Sequence, residues 1–303
     1  MKKSVNRLQR SENIAGWCFV MPALIVFLSL TLLPFFISLV LSFLDWNFLK
    51  ADDYPKFVGF QHFYDIFFNT AGNTFLRSFG NTLVYVITIV PMSIIMSLVF
   101  AYCMNGRIFG KKALRMMFFA PYICSLVAVG AVFRQLFGGT GPVNQLLQAL
   151  HLIKEPINWS VDDRYTKIPV ILLSVWSSIG YQLILFTAAM QNVPTSLYEA
   201  AKIDGAGGLR RFISITLPMI SPTIFYLVIT RMIAVFKIFG SVNILTMGTS
   251  MKSNRSLVVE IYNEAFQAPY NFGGGSAMSL ILFVTIIFIT AINFWGQKKW
   301  VHY

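Results

Sequence analysis

The sequence predicts an all-α polytopic membrane protein with about six transmembrane helices. Hydrophobic residues make up 56% of the 303 residues, and charged residues make up only 12%. Soluble domains carry about 25% charged residues, so this composition lies outside their range. The chain also contains six apolar stretches that are long enough to cross a bilayer core of about 30 Å, which takes roughly 20 helical residues.

The six stretches are predicted to be helices rather than strands. A backbone in lipid must form its hydrogen bonds within one helix or within a closed barrel, and a barrel strand crosses the membrane in about 9–11 residues. Each apolar stretch is much longer than such a strand, so a helix is favoured. The predicted spans are residues 17–43, 79–104, 115–137, 168–190, 219–245 and 277–295.

One transmembrane domain, residues 17–296, is predicted between two short tails, residues 1–16 and 297–303. The first apolar run is too long for a signal-peptide core and no small-residue cleavage site follows it, so the first span is expected to be retained. No metal site is expected. Cys18, Cys103 and Cys124 lie inside predicted spans without ligand spacing, and they are interpreted as packing residues.

The loop charges predict the orientation in the membrane. The two tails, the loop after the second span and the connector after the fourth span carry 13 basic and three acidic residues. The opposite loops carry eight basic and nine acidic residues. The positive-inside rule therefore places both termini and the connector in the cytoplasm. The same asymmetry explains most of the net charge of +12, so a nucleic-acid partner is not needed to account for it.

The connector between the fourth and fifth spans has an unusual pattern, EAAKIDGAGGLRRFISITLP from Glu199 to Pro218. Ser196 and Glu199 have the spacing of a capping box, which predicts a short helix that runs to about Asp204. Gly205 is placed to end that helix in a left-handed conformation. Such an element could lie on lipid headgroups as an amphipathic connector, or it could bind a cytoplasmic protein. The pattern alone leaves both readings open.

The same connector carries a motif that is similar to the signature loop of bacterial ABC-importer permeases. In this motif Glu-Ala-Ala is followed after three residues by Gly, and after nine more by Ile, one residue and Leu-Pro. The matching positions are Glu199, Ala200, Ala201, Gly205, Ile215, Leu217 and Pro218. The segments LYEAAKIDGAG, SFLDWNF, FVGFQHF and FFAPYICSLVAVGAVFRQLF extend the resemblance over nearly the whole chain, to the carbohydrate-uptake branch of the maltose and glycerol-3-phosphate type.

This resemblance implies a permease subunit in a bacterial cytoplasmic membrane that moves a sugar or sugar-like solute inward. The helix up to Asp204, within a coupling loop at residues 192–218, would sit in a groove of an ATPase subunit. Glu199 would cap it and reach basic groups of the ATPase, Ala200 and Ala201 would allow close seating, and Gly205 would make the turn. The implied partners are a second permease, two ATPase subunits that bind ATP and Mg²⁺, and an extracytoplasmic solute-binding protein. No cofactor is expected in this chain.

One segment departs from the family pattern. Many relatives have a Gly-Gly-Pro turn after the fifth span, whereas this chain reads TMGTSMKSNRS from Thr246 to Ser256. The departure leaves open the shape of the third outer loop, residues 246–276.

An enzymatic role is not expected. The chain lacks a phosphate-binding loop, because the nearest stretch, GRIFGKK from Gly106, has the wrong glycine spacing and no hydroxyl residue. A secondary transporter would be expected to contain broken helices in paired repeats and an acid for ion coupling. No Asp or Glu falls within the predicted spans, so the secondary transporter stands as the weaker alternative.

A solute path is predicted along the fourth and fifth spans. Hydroxyl and amide groups on the fourth span could contact a polar solute, or they could join helices to one another. Arg231 in the fifth span is expected to face a cavity or a partner, because a charge within a membrane is energetically costly. The candidate residues are Ser174, Ser177, Ser178, Tyr181, Gln182 and Arg231.

Overall fold

The structure is a computed structural model that describes residues 2–47, 49, 54–69, 74–106, 109–246 and 253–298. Positions 299–303 of the predicted C-terminal tail and positions 247–252 of the predicted third outer loop lie outside the described residues. The chain divides into two compact units. One comprises Met1–Asn69 and Asn263–Leu280, and the other comprises Thr70–Tyr262 and Ile281–Tyr303.

The described residues are mostly helical, which confirms the predicted fold class. Within this described part of the chain, three stretches wind as π-helical turns, Leu28–Leu32, Asp65–Asn69 and Phe212–Thr216. The α-helices are α1 (Lys2–Phe27), α2 (Leu33–Leu41), α3 (Gln61–Tyr64), α4 (Thr74–Asn105), α5 (Lys111–Ile123), α6 (Leu126–Leu136), α7 (Pro142–Ala149), α8 (Lys167–Gln191), α9 (Thr195–Ile203), α10 (Gly208–Arg211), α11 (Leu217–Met219), α12 (Ser221–Phe236), α13 (Gly240–Leu245), α14 (Leu257–Phe266) and α15 (Phe272–Gln297).

Among the described residues, four helical segments are long and apolar enough to cross a membrane: Glu12–Leu41, Thr74–Asn105, Lys167–Gln191 and Phe272–Gln297. Two bent pairs bring the number to six if each pair is one span. The pair α5 and α6 meets at 99°, and the pair Gly208–Met219 and Ser221–Phe236 meets at 68°. If each bent pair is one span, the number agrees with the predicted six and five positions agree closely, whereas the fifth pair begins and ends about ten residues before the predicted 219–245.

The third predicted span departs from a continuous helix. The backbone is extended at Cys124, with φ −64° and ψ 146°, and Ser125 follows with φ −56° and ψ 130°. Pro121 lies in the last turn of α5. It has no backbone N–H and therefore removes one hydrogen bond from the helix just before the break. The fifth predicted span is also shorter than expected, because α12 ends at Phe236 and the chain becomes helical again only at Gly240.

Helix α8 is the centre of the larger unit. It packs against α4, α5, α6, α12 and α13. Both α4 and α8 contain fully buried side chains, among them Tyr85 and Ile89 of α4 and Leu173 and Leu183 of α8. Gln182 of α8 makes polar contacts with α4, and the shorter one is a hydrogen bond of 2.6 Å that Ser97 Oγ of α4 donates to Gln182 Oε1.

The smaller unit contains a two-stranded antiparallel hairpin. Its strands, β1 (Leu44–Asp45) and β2 (Lys56–Phe57), pair Leu44 with Phe57. The ring nitrogen Nε2 of His62 lies 3.1 Å from the Leu44 carbonyl oxygen. A Cβ placed on Gly273 would come within 2.3 Å of that same His62 nitrogen. The absence of a side chain at Gly273 therefore lets the start of α15 approach the hairpin.

A single buried asparagine organises the loop after α6. Asn144 Nδ2 donates to the carbonyl oxygens of Gly138, Gly139 and Ile157 at 2.9–3.2 Å. Its Oδ1 accepts from the Ile157 backbone N–H at 3.2 Å and from Trp159 Nε1 at 3.0 Å. One side chain therefore satisfies five polar groups from two separate turns.

We expect Asn144→Ala to destabilise this loop by about 1–3 kcal/mol, which is the cost of leaving a buried polar group without a partner. The readout is the rate of limited proteolysis within residues 138–159, together with the emission wavelength of Trp159 in a variant that retains only that tryptophan. Gln145→Ala is the matched control, because Gln145 is exposed and its Nε2 makes one bond of 2.9 Å to the Thr140 carbonyl. Equal proteolysis of the two variants would contradict the prediction.

The segment that replaces the Gly-Gly-Pro turn is anchored where the structure describes it. Asn254 Nδ2 donates to the Thr166 carbonyl at 3.1 Å, and the Tyr85 hydroxyl donates to the Asn254 carbonyl at 3.0 Å. Ser256 Oγ donates to the Ile238 carbonyl at 2.6 Å. Hydrogen bonds to α4 and to the residues flanking α8 and α12 therefore hold residues 254–256 in place.

Candidate functional site

The first candidate site is the connector between α8 and α12. Its short helix α9 begins at Thr195, two residues earlier than a capping box with Ser196 at the cap predicts. Pro194 occupies the cap position with φ −56° and ψ 128°, and no side chain caps the helix by a hydrogen bond. The predicted capping by Ser196 and Glu199 is therefore wrong. Pro194 fixes a cap conformation that starts the helix early and places Ser196 inside the first turn.

The end of α9 follows the prediction. Gly205 is left-handed with φ +74°. The Gly205 N–H donates to the Lys202 carbonyl at 3.1 Å, and the Ala206 N–H donates to the Ala201 carbonyl at 2.8 Å. This pair of bonds is the Schellman motif, which satisfies the last carbonyls of a helix and prefers glycine at the left-handed position.

The connector presents small and apolar side chains to its surroundings. Glu199, Ala200, Asp204 and Gly205 are exposed, and Ala201, Ile215, Leu217 and Pro218 are half-buried. Ile203 is 87% exposed and Leu209 is 70% exposed. Exposed apolar groups beside small residues fit either a partner protein or lipid headgroups as the neighbouring surface.

One contact joins the two arms of the connector, and another fixes the connector to α4. The Tyr198 hydroxyl of α9 lies 2.9 Å from Thr216 Oγ1, so the two arms of the connector are joined. The rings of Tyr102 at the end of α4 and Phe212 have centroids 4.5 Å apart. The chain then bends by 68° into α12. A displacement of α9 would thus be transmitted to α12 through a packed and hydrogen-bonded joint.

The second candidate site is a pair of adjoining cavities. The first, of about 330 Å³, is lined by five of the six predicted path residues: Ser177, Ser178, Tyr181, Gln182 and Arg231. The second, of about 280 Å³, is lined by Ser174 together with Ser177 and Arg231. The structure therefore brings together all six residues that the sequence selected.

The hydrogen bonds distinguish the two interpretations of these polar groups. Gln182 joins helices, because it accepts from Ser97 and its Nε2 donates to Ser93 Oγ at 3.4 Å. Ser178 Oγ donates to the Val175 carbonyl within its own helix at 2.8 Å. Arg231 Nη2 donates to the Ser174 carbonyl at 2.6 Å, which links α12 to α8 and fixes the guanidinium at the cavity wall.

The sequence prediction missed the residues that the break between α5 and α6 contributes. Tyr122 and Cys124 line the first cavity, and the Tyr122 ring stacks on Tyr181 with centroids 5.2 Å apart. Lys237, which is not among the predicted path residues, lines the second cavity with Arg231. Hydropathy averages over a span and carries no signal for a break. The signal in the sequence that could have indicated the break is Pro121, just before it.

Comparison with known proteins decides the family. Residues 66–299 match the family described as binding-protein-dependent transport system inner membrane component. The chain belongs to this family. The matched range includes the whole connector and every predicted path residue, so both candidate sites lie in the inner-membrane component itself.

Individual relatives extend the similarity of this inner-membrane component over the full chain. It is 34% identical to the probable ABC transporter permease protein YesP of Bacillus subtilis, over 100% of this chain and 96% of the relative. It is 31% identical to the lactose transport system permease protein LacF of Rhizobium radiobacter, over 98% of both chains. Its fold is similar to a chain of a bacterial ABC transporter for import of the acidic polysaccharide alginate. That match has a TM-score of 0.83 and 22% identity, and it covers 97% of this chain and 99% of the other.

Proposed function

We propose that this ABC permease carries a sugar or sugar-like solute from an extracytoplasmic binding protein into the cytoplasm. The observation that carries the proposal is the family match over residues 66–299, which spans both the connector and the cavities. The solute class is supported by relatives named for lactose and, at the level of the fold, for alginate. The hydroxyl, amide and stacked aromatic groups of the first cavity are suited to a polyhydroxylated solute.

The connector is proposed to couple the permease to ATP hydrolysis in a separate subunit. In this proposal α9 seats in a groove of an ATPase, with Glu199 reaching basic groups, Ala200 and Ala201 at the contact, and Gly205 forming the turn. The exposure of Ile203 and Leu209 supports a protein partner, because both side chains would be covered on docking. Closure of two ATPase subunits on ATP and Mg²⁺ would then move α9 and α12 together as a rigid joint.

The remaining parts of the proposal concern assembly and orientation. A second permease subunit completes the pore, and two ATPase subunits bind the nucleotide, so this chain itself needs no cofactor. Both termini, residues 1–16 and 297–303, and the coupling loop 192–218 face the cytoplasm. The excess of basic residues on that side supports this orientation.

The experiment is purification of the tagged chain from its native membrane in gentle detergent, followed by reconstitution of the recovered complex in liposomes. We expect stoichiometric recovery of a second permease and an ATPase pair. Uptake should require both ATP and the binding protein. A matched complex, in which the phosphate-loop lysine of the ATPase is replaced by alanine, should assemble but not transport. Uptake by this chain alone, driven by an ion gradient, would overturn the proposal in favour of a secondary transporter.

A further inference from the structure

The two adjoining cavities carry positive charge without a carboxylate to balance it. Arg231 lines both cavities, and Lys237 lines the second. Among the residues that the structure describes, neither lining includes an Asp or a Glu. The helices that supply the walls, α5, α6, α8, α12 and α13, also contain no acidic residue. A solute in this place meets a cationic surface.

Arg231 is held in position but is not neutralised. Its Nη2 donates to the Ser174 carbonyl, which is uncharged. Within the described part of the chain its Nε is buried without a hydrogen-bond partner. A guanidinium in a protein keeps its charge. Removing such a charge from water without a counterion is energetically unfavourable, and an anion bound in the cavity would offset that cost.

Two further features of the first cavity suit an anionic saccharide. The stacked rings of Tyr122 and Tyr181 offer a flat aromatic wall beside Arg231. Helix α6 begins at the break, and Leu126 and Val129 of its first turn line the same cavity. The free N–H groups at a helix start carry partial positive charge, which adds to the field of Arg231.

We propose that this cavity selects an anionic saccharide or polyol, whose carboxylate or phosphate group pairs with Arg231. The inference rests on the proposed function, because it assumes that the cavity lies on the solute path. A charge-assisted pair with an anionic oxygen is roughly twice as strong as a neutral hydrogen bond. A neutral sugar of the same size would lack that pair and would leave the guanidinium uncompensated.

Cys124 provides a reporter of the charge in the cavity. It is exposed and lines the first cavity. Replacing Cys18 and Cys103 by serine leaves it as the only cysteine of this chain. In the assembled complex, Cys124 is reacted with two methanethiosulfonates of similar size, the anionic sulfonatoethyl and the cationic trimethylammonioethyl reagent. Mass spectrometry of the peptide that contains Cys124 gives the two labelling rates. A change in the accessibility of Cys124 affects both rates alike, so it does not change their ratio.

We expect Arg231→Gln to lower the ratio of anionic to cationic labelling on the order of ten-fold, since removing one nearby charge changes the two rates in opposite directions. Arg231→Lys keeps the charge and should change the ratio by less than about three-fold. Arg134→Gln is the matched control, because Arg134 is exposed and lines a separate small pocket. It should leave the ratio near that of the unmodified protein.

The ligand class is identified by ligands that slow the labelling of Cys124 in the complex with Arg231 intact. This measurement does not depend on any Arg231 variant. Digalacturonate or glycerol 3-phosphate should slow labelling, and galactobiose, the neutral counterpart of digalacturonate, should slow it much less. Protection by digalacturonate alone assigns a carboxylate, and protection by glycerol 3-phosphate alone assigns a phosphate.

Equal protection by galactobiose and digalacturonate overturns the proposal, and so does a ratio that is insensitive to Arg231→Gln in a complex that still assembles. Either result leaves ATP-driven uptake untouched. Conversely, ATP-independent uptake with the expected labelling pattern would defeat only the coupling to an ATPase.

Discussion

We expect Gly205→Val to reduce solute uptake more than ten-fold while the chain still reaches the membrane. The left-handed backbone of Gly205 costs a residue with a side chain about 1–2 kcal/mol, and a β-branched residue tolerates that conformation worst. No atom lies within 4 Å of a Cβ built at this position. The strain therefore acts on the turn that ends α9 and not on the packing of the membrane helices.

Glu199→Lys should give a similar loss of uptake through a different cause. Glu199 is exposed, so the substitution leaves the fold intact and reverses the charge at the proposed ATPase contact. The measurements are solute uptake in liposomes, ATPase activity of the complex and the amount of ATPase that co-purifies. Loss of coupling would appear as reduced solute uptake while the amount of this chain in the membrane stays normal.

Gly207→Ala is the matched control for Gly205→Val. Gly207 has φ −65° and ψ 167°, which any residue adopts, and no atom lies within 4 Å of its built Cβ. Uptake by this variant should be close to normal. If Gly205→Val transports as well as Gly207→Ala, the connector does not transmit force through this turn.

We expect Gly180→Ala to destabilise the membrane unit by about 3 kcal/mol, at the upper end of overpacking effects. A Cβ at Gly180 would lie 2.3 Å from the Phe118 carbonyl oxygen and 2.6 Å from Phe119 Cα. Both atoms belong to the backbone of α5 and cannot rotate away. One added methyl group therefore forces α5 and α8 apart, in a contact where small residues let helices approach closely.

The measurement is the midpoint of thermal unfolding of the purified complex, together with its yield from membranes. Gly80→Ala is the matched control, because Gly80 lies in α4 and no atom lies within 4 Å of its built Cβ. Alanine is the better helix former by about 1 kcal/mol, so this variant should be as stable as the parent or slightly more so. Equal midpoints for the two variants would contradict the close approach of α5 and α8.

Features that depend on composition and local chemistry could be predicted from the sequence. Hydropathy located five of the six candidate spans to within about five residues and missed the bounds of the fifth by about ten. The glycine after a short helical pattern predicted the left-handed Gly205. The polar residues of the fourth span and Arg231 were selected because polar groups are costly in lipid. The structure brings them to the same two cavities.

Features that depend on backbone geometry or distant contacts could not be predicted. Ser196 and Glu199 had the right spacing for a capping box, but Pro194 imposes its own cap. The break at Cys124 leaves the hydropathy of the span unchanged. Asn144 binds carbonyl groups from two turns, and no local pattern encodes which turns meet.

The 99° corner between α5 and α6 has a consequence for ion leakage across the membrane. Backbone groups at a helix break cannot be left bare in hydrocarbon, so they must face protein or a water-filled space. Here Cys124 and Leu126 border the first cavity, so water in that cavity can hydrate the backbone groups at the break. A water-filled cavity that opened to both sides of the membrane at once would let ions pass and would dissipate the ion gradients across the membrane. The complete transporter must therefore keep one side of this pocket sealed at every stage of its cycle, including at rest.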